Sequence, residues 1–280
     1  LVWLYTGGIQ RLNRSAGVGI ENHYWDRDTG RSQDMEGYGA IAIDHLSVNY
    51  RSLQALRNIN VTLQPGQLVG IFGPNGAGKS TLVKAMLGLI PVVTGQVQWG
   101  SRPLGQQLDR TAYVPQRSQI DWTFPATVWD VVMMGRVRQT GWFNRFSTPS
   151  RRLAAEALER VGMSEFSDRR IGALSGGQQQ RVFLARALAQ QADAFFFDEP
   201  FVGVDQKTEE VLFRIFQELA EDGKIVMVVN HDLGESITHF NHLLLLNREL
   251  IAAGPRDRVL TRDNMTRAYG GHVQFFSNAA

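Results

Sequence analysis

Between the apolar run Leu68-Val69-Gly70-Ile71-Phe72 and a helical pattern that opens near Gly78 lies the octet Gly73-Pro74-Asn75-Gly76-Ala77-Gly78-Lys79-Ser80. It fits G-x-x-x-x-G-K-[ST], and a strand before it with a helix after it is the context this spacing requires. Small residues let the backbone curl so that successive N–H groups point inward, and the following helix adds the partial positive charge of its N-terminus. Such a cradle suits a chain of phosphates. Lys79 is expected to reach the β and γ phosphates and the Ser80 hydroxyl to ligate Mg2+, with Thr81 next in the nucleotide-binding set. The competing reading, a Gly-rich turn with a chance lysine, is weakened by both flanks. The loop alone serves kinases, GTPases and many motors, so it defines a ligand class and no more.

The rest of the chain supplies an α/β setting. Leu82, Val83, Met86, Leu87 and Ile90 share one face of a helix that Pro91 ends. Ile41, Ile43, Leu46, Val48 and Tyr50 alternate as in a half-buried strand, and Ile59, Val61 and Leu63 do the same before a turn at Gln64-Pro65-Gly66-Gln67. Helices are expected over 151–161, 175–190 and 208–221, and strands over 194–197 and 225–229. This alternation predicts an α/β core with a mostly parallel sheet. Residues from about 117 to 190 offer helices and no convincing strand, so a helical insertion is expected there.

Composition sets bounds. With 43% hydrophobic and 20% charged residues, the chain is ordinary for a globular fold. A net charge of +2 gives no argument for a nucleic-acid partner. The absence of cysteine excludes disulfides and thiolate metal sites and fits a reducing compartment. A membrane span needs about 18–20 consecutive apolar residues, and the runs at 225–229 and 243–246 are far shorter, so no crossing is expected. Residues 1–39 hold 7 of the 28 glycines, 4 arginines and 5 acidic residues without a period of 2 or 3.6. They read as a flexible leader, with an ordered partner-binding arm as the other reading, and 273–280 as a tail. The opening Leu1-Val2-Trp3-Leu4-Tyr5 is too short, and lacks the basic lead, for a secretory signal.

A second constellation sits at Asp198-Glu199. The strand Ala194-Phe195-Phe196-Phe197 delivers both carboxylates at its C-terminal end, where α/β sheets place ligands. Burying charge there costs on the order of several kcal/mol unless a metal or partner compensates. Asp198 is therefore expected to hold the Mg2+ shell and Glu199 to accept a proton from an attacking water, with Pro200 stopping the strand.

The segment Leu174-Ser175-Gly176-Gly177-Gln178-Gln179-Gln180-Arg181 resembles the LSGGQ signature of ATP-binding-cassette (ABC) ATPases. An N-cap serine is commonplace; two glycines that bare their N–H groups, placed between the phosphate loop and the Asp-Glu strand, are not. In that family this surface faces the γ-phosphate held by another subunit. The resemblance thus implies an ATP sandwich in a head-to-tail dimer, with Ser175, Gly176, Gly177 and Gln178 as nucleotide contacts. Other family elements follow in order. Gln116, in Tyr113-Val114-Pro115-Gln116, matches the glutamine loop that touches Mg2+ and water. Asp205, in Val202-Gly203-Val204-Asp205, matches the loop that crosses the dimer interface. His231 matches the switch histidine at the γ-phosphate, and Tyr50 lies where an aromatic ring stacks on adenine. The implied catalytic set is Glu199, His231, Lys79 and Gln116. The similarity spans residues 40–272 and implies a P-loop NTPase (RecA-like) core, an antiparallel β subdomain and an inserted α-helical subdomain. Asn230 departs from the usual threonine before the switch histidine, with little effect expected.

Only 96 residues separate Lys79 from Ser175, with no heptad run, which sets the chain apart from the DNA-maintenance branch. One cassette rather than two sets it apart from the translation branch. Transport with a separate multi-span permease is implied, at the cytoplasmic face of a bacterial membrane. The stretches Gln119 through Val128, Val131 through Arg136, Asp198 through Asp205, and Leu245-Leu246-Asn247-Arg248 resemble cassette subunits of manganese/zinc/iron importers. Manganese is the leading ion, with zinc or iron as alternatives, and a metal-binding protein is an indirect partner. The rival from another class is a non-transport regulator that uses ATP as a clock. Trp122, Phe124, Trp129, Trp142 and Phe143 either form a groove for a permease helix or fill the helical subdomain's own core. His239-Phe240-Asn241-His242 has metal-ligand spacing, but a packing pair is the expectation.

Overall fold

The computed structural model describes residues 39–50, 53–141, 145–231 and 233–270. The leader up to residue 38, the tail at 273–280, Trp142 and Phe143 lie outside them. In chain order the elements are β1 (Ile41–Tyr50), β2 (Leu53–Leu63), β3 (Leu68–Phe72), α1 (Lys79–Met86), β4 (Thr94–Trp99), β5 (Arg102–Pro103) and β6 (Thr111–Val114). Then come α2 (Val128–Met133), α3 (Val137–Thr140), α4 (Thr148–Arg160) and α5 (Gly176–Ala189). The chain continues through β7 (Ala194–Asp198), α6 (Gln206–Glu221), β8 (Ile225–Val229), β9 (His242–Asn247), β10 (Glu249–Pro255), α7 (Arg256–Val259) and α8 (Arg262–Tyr269).

Two sheets result. The larger has six strands in the order β10-β9-β3-β8-β7-β6. Every pairing in it is parallel except the β9–β10 hairpin. The smaller is a four-stranded antiparallel sheet, β2-β1-β4-β5. Period-two alternation divides the apolar side chains of the large sheet between two cores. Phe195 and Phe197 of β7, Val226 and Val228 of β8, and Phe72 of β3 face the core shared with α2, α4, α5 and α6. Phe196, Met227, Val229, Val69 and Ile71 face the opposite core, shared with α1 and the antiparallel sheet. β3, β7 and β8 are buried on both faces, which is why they read as continuous apolar runs.

In β1 the spacing of three between Ile43 and Leu46 breaks the alternation. The pairing register shifts there, with His45 at φ 50°, so that Ile43 and Leu46 both reach the core. A bulge restores the phase. Tyr50, at the end of the same pattern, is 47% exposed. Among the described residues between β6 and β7 the named elements are α or 3-10 helices, and Thr127 and Arg170 form an isolated bridge. α4 starts at Thr148 rather than 151, because Ser147 caps it and Pro149 occupies the first turn.

Candidate nucleotide-binding and hydrolysis site

The phosphate loop runs from the end of β3 into α1, and glycine is obligatory at its two hinges. Gly73 has φ 150°, and a side chain there would collide with the Leu246 carbonyl. Gly78 has φ 94°, and a Cβ there would lie 2.6 Å from Leu56 Cδ2 and 2.7 Å from the Ala55 carbonyl. The Arg248 N–H donates to the Ala77 carbonyl at 2.8 Å, which straps the loop to the β9–β10 turn. Gly76 and Gly78 both adopt positive φ, and Pro74, Asn75, Ala77 and Thr81 complete the segment. Lys79 folds over this cradle, its Nζ donating to the Gly73 carbonyl at 2.7 Å and the Pro74 carbonyl at 3.1 Å. Burial lowers its pKa, against the upward pull of Glu199 and Asp198.

From the sheet's carboxyl edge β7 presents Asp198, 1% exposed. Ser80 Oγ donates to its Oδ1 at 2.7 Å and the Tyr113 hydroxyl to its Oδ2 at 3.5 Å. Burial raises the Asp198 pKa, opposed by the Ser80 hydrogen bond and the charge of Lys84. A desolvated carboxylate beside a hydroxyl is an all-oxygen donor set, and it fits a hard divalent cation such as Mg2+.

A raised carboxyl pKa means that the folded chain holds this proton more tightly than the unfolded one. The contribution to stability is complete below the unfolded value and is withdrawn as pH rises through the folded one. Asp198→Asn removes the buried charge while keeping the shape. Without divalent cation at neutral pH, its melting temperature should therefore exceed the parent's by about 2–4 °C, the shift that roughly 1 kcal/mol produces in a chain of this size. In acid below the ordinary carboxylate range the difference should vanish. Thermal melts at the two pH values, read by circular dichroism, check this.

Glu199 follows in the left-handed region at φ 52°, its N–H donating to the Val229 carbonyl at 3.1 Å. For a side-chain-bearing residue that conformation costs about 1–2 kcal/mol. Its carboxylate Oε2 accepts from Gln116 Nε2 at 2.6 Å. The structure thus joins Lys79, Ser80, Gln116, Asp198 and Glu199 in one cluster. His231 follows β8 and is exposed; Asn230, before it, is 3% exposed and donates from Nδ2 to Ser236 Oγ at 3.1 Å.

The signature segment opens α5. Ser175 Oγ accepts from the Gln178 N–H at 3.3 Å and Gln178 Oε1 from the Ser175 N–H at 2.9 Å, a reciprocal cap on α5. A Cβ at Gly177 would lie 2.8 Å from Thr208 Oγ1 and 3.4 Å from Asp205 Oδ2, and one at Gly176 3.0 Å from the Gly203 carbonyl. Asp205 Oδ1 caps α6, accepting from the Thr208 N–H at 2.8 Å, and this hydrogen bond lowers its pKa. The atoms nearest those two Cβ positions therefore belong to the Gly203–Thr208 segment and to Arg117 of the same chain. Of the aromatic residues, Trp122 packs edge-on against Phe183 at 5.4 Å and Trp129 against the same core, while Phe124 is 51% exposed. His239 stacks on Phe213 at 4.2 Å and His242 pairs with Gln67 at 3.3 Å, so both are engaged in packing. Spacing gave no sign of Tyr113, Arg117 or Thr208, whose roles arise only through contacts between distant segments.

A phosphate cradle, a buried Asp beside a Glu at the sheet's carboxyl edge, and a capped signature helix on a helical insertion define an ABC-type nucleotide-hydrolysing cassette. The family model described as ABC transporter matches residues 56–202. The chain is 49% identical to the manganese transport system ATP-binding protein MntB of Halalkalibacterium halodurans, over 85% of this chain and 94% of that one. It is 47% identical to the zinc transport system ATP-binding protein TroB of Treponema pallidum, over 84% and 88% respectively. An inward-facing ABC transporter described as of the metal-chelate type superposes with TM-score 0.73 at 25% identity, covering 82% of this chain and 89% of that one. A bacterial ABC transporter cassette solved as a dimer gives TM-score 0.68 at 27% identity, over 77% and 98%. The chain belongs to the ABC transporter family and is an ATPase. Among the described residues no helix is long and apolar enough to cross a membrane.

Proposed function

We propose that this chain is the ATP-hydrolysing subunit of a metal-ion importer, with manganese as the ion. The observation that carries the reading is the extended identity to a manganese transport subunit, along nearly the whole of that relative. Residues 40–272 form the cassette, with the helical insertion at 117–190. It works at the cytoplasmic face of a bacterial membrane against a multi-span permease, which receives the metal from a binding protein.

Two copies pair head to tail. The loop N–H groups from Gly73 to Thr81 and the Lys79 ammonium hold the phosphates of one ATP. Tyr50 stacks on its adenine, worth about 1–3 kcal/mol if it behaves like other base stacking. Ser80, Asp198 and Gln116 would hold Mg2+, which would supply charge neutralisation to the phosphates. The N-terminus of α5 in the second copy, from Ser175 to Gln178, closes over the γ-phosphate, and the Asp205 loop lies along the shared interface. Glu199 takes the proton of a water as its oxygen attacks the γ-phosphorus in line. The bond to the β–γ bridging oxygen breaks, and Lys79, His231 and the opposing amides stabilise the charge that spreads over the γ oxygens. Closing and reopening of the pair move the docked permease between access states. The support for this scheme is the joined cluster around Asp198 and Glu199, together with a signature helix whose glycines neighbour Gly203, Asp205 and Thr208 of their own chain.

Zinc is the second reading, favoured by the similarity to the zinc subunit. Reconstituted in vesicles with its permease, the chain should hydrolyse ATP faster when manganese-loaded binding protein is supplied outside. Stimulation by the zinc-loaded form alone would move the ion to zinc. Hydrolysis indifferent to permease and binding protein would refute transport and favour a regulator.

A further inference from the structure

Arg117 immediately follows the glutamine that contacts Glu199. Its Nε and Nη2 both donate to Gln179 Oε1, at 3.1 and 2.9 Å. Gln179 lies in the first turn of α5, is 3% exposed, and is itself held by donating from Nε2 to the Ile171 carbonyl at 3.2 Å. The guanidinium carbon is 3.4 Å from where a Gly176 Cβ would stand, and Nη1 is 3.9 Å from the corresponding point at Gly203. Trp122 closes the far side, its ring centroid 5.5 Å from the guanidinium and its Nε1 donating to the Arg117 carbonyl at 3.1 Å. Among the described residues no carboxylate pairs with Arg117, and its Nη1 makes no hydrogen bond.

A guanidinium stays charged throughout the accessible pH range, and its planar fork fixes direction as well as distance. Here that charge, with no carboxylate paired to it among the described residues, lies beside Gly176 in the first turn of α5 and adds to the positive end of the helix. The same residue is one peptide bond from Gln116, whose amide is 2.6 Å from Glu199. A continuous chain of contacts therefore runs from the carboxylate of Glu199, through Gln116 and Arg117, to Gln179 in the signature helix.

We propose that Arg117 is a positioning residue that fastens the glutamine loop to the signature helix and sets its amides to receive the γ-phosphate of a nucleoside triphosphate held by a second copy. This rests on the head-to-tail reading above. The test uses the full chain carrying Glu199→Gln, in which ATP-driven pairing is followed by size-exclusion chromatography and ADP affinity by titration calorimetry. Adding Arg117→Ala should raise the ATP concentration needed for pairing about tenfold, the loss of one charge-assisted contact, while ADP affinity holds. Gln179→Ala should do the same, and the double variant should lose no more than either single one, because both break one link. Arg117→Lys keeps the charge but not the fork, and should also pair less readily. If it or Arg117→Ala pairs at the parental ATP concentration, Arg117 does not position the signature. If the Glu199→Gln chain itself never pairs with ATP, the head-to-tail reading falls first and takes the inference with it; additive losses would show that Arg117 and Gln179 act separately.

Discussion

The Glu199→Gln variant should turn over ATP more slowly than the parent by a factor on the order of 10²–10⁴, while an ATP-bound pair accumulates. The factor corresponds to about 3–5 kcal/mol of transition-state stabilisation. The substitution is nearly isosteric, and its amide oxygen can still accept from Gln116 Nε2, which stands 2.6 Å from the carboxylate. The left-handed backbone at this position suits glutamine no worse than glutamate. What disappears is the capacity to take a proton from water. Asp198 cannot stand in, because its two oxygens are engaged by Ser80 and Tyr113 and it is buried behind the loop. Steady-state phosphate release measures the first effect, and size-exclusion chromatography with ATP the second. Parental turnover would remove Glu199 as the base and leave His231 as the next group to examine.

The loop proposed to hold phosphate was legible because it needs backbone shapes that few residues adopt. Gly73 and Gly78 sit at conformations that exclude a side chain, so the loop announces itself in composition as well as spacing. β3, β7 and β8 were legible for a different reason: strands covered on both faces must be apolar throughout. β4 was not. Its Gln96 and Gln98 alternate with the half-buried Val97 and the buried Trp99, a pattern too weak to stand without the pairing partner β1. β6 is four residues long and is defined by its parallel register with β7.

Adjacency across the chain was equally invisible. In the sequence Tyr113 stands only in the run leading to Gln116, yet its hydroxyl reaches Asp198, 85 positions away. The aromatic cluster could be resolved only by packing, which assigns Trp122 and Trp129 to the helical core and leaves Phe124 exposed. Asp205 shows the limit most clearly. The family resemblance implies an interface role for it, whereas the structure shows a helix cap lying against the signature of its own chain. The two are compatible, since a residue that braces the signature from behind can lie along the seam where a second copy arrives.

That arrangement makes Gly177→Asp the sharpest probe of the seam. A Cβ at Gly177 would stand 2.8 Å from Thr208 Oγ1, a residue 1% exposed that has little room to withdraw. The new carboxylate would also lie beside that of Asp205, 3.4 Å from the Cβ position, and oppose the positive end of α5. ATP turnover should fall by a factor on the order of 10²–10³, the usual cost of losing a donor to developing charge. ADP affinity should hold, because the Lys79 loop is untouched. Lys79→Ala should be inactive for the opposite reason, an intact signature with no grip on phosphate. Mixing the two inactive proteins then creates pairs with one whole site, in which the loop of the Gly177→Asp copy faces the signature of the Lys79→Ala copy. Recovered hydrolysis in the mixture can come only from a site built across two chains. Mixed pairs that form, verified by differential tagging, yet stay as inactive as their components would place the phosphate and the signature in separate functions.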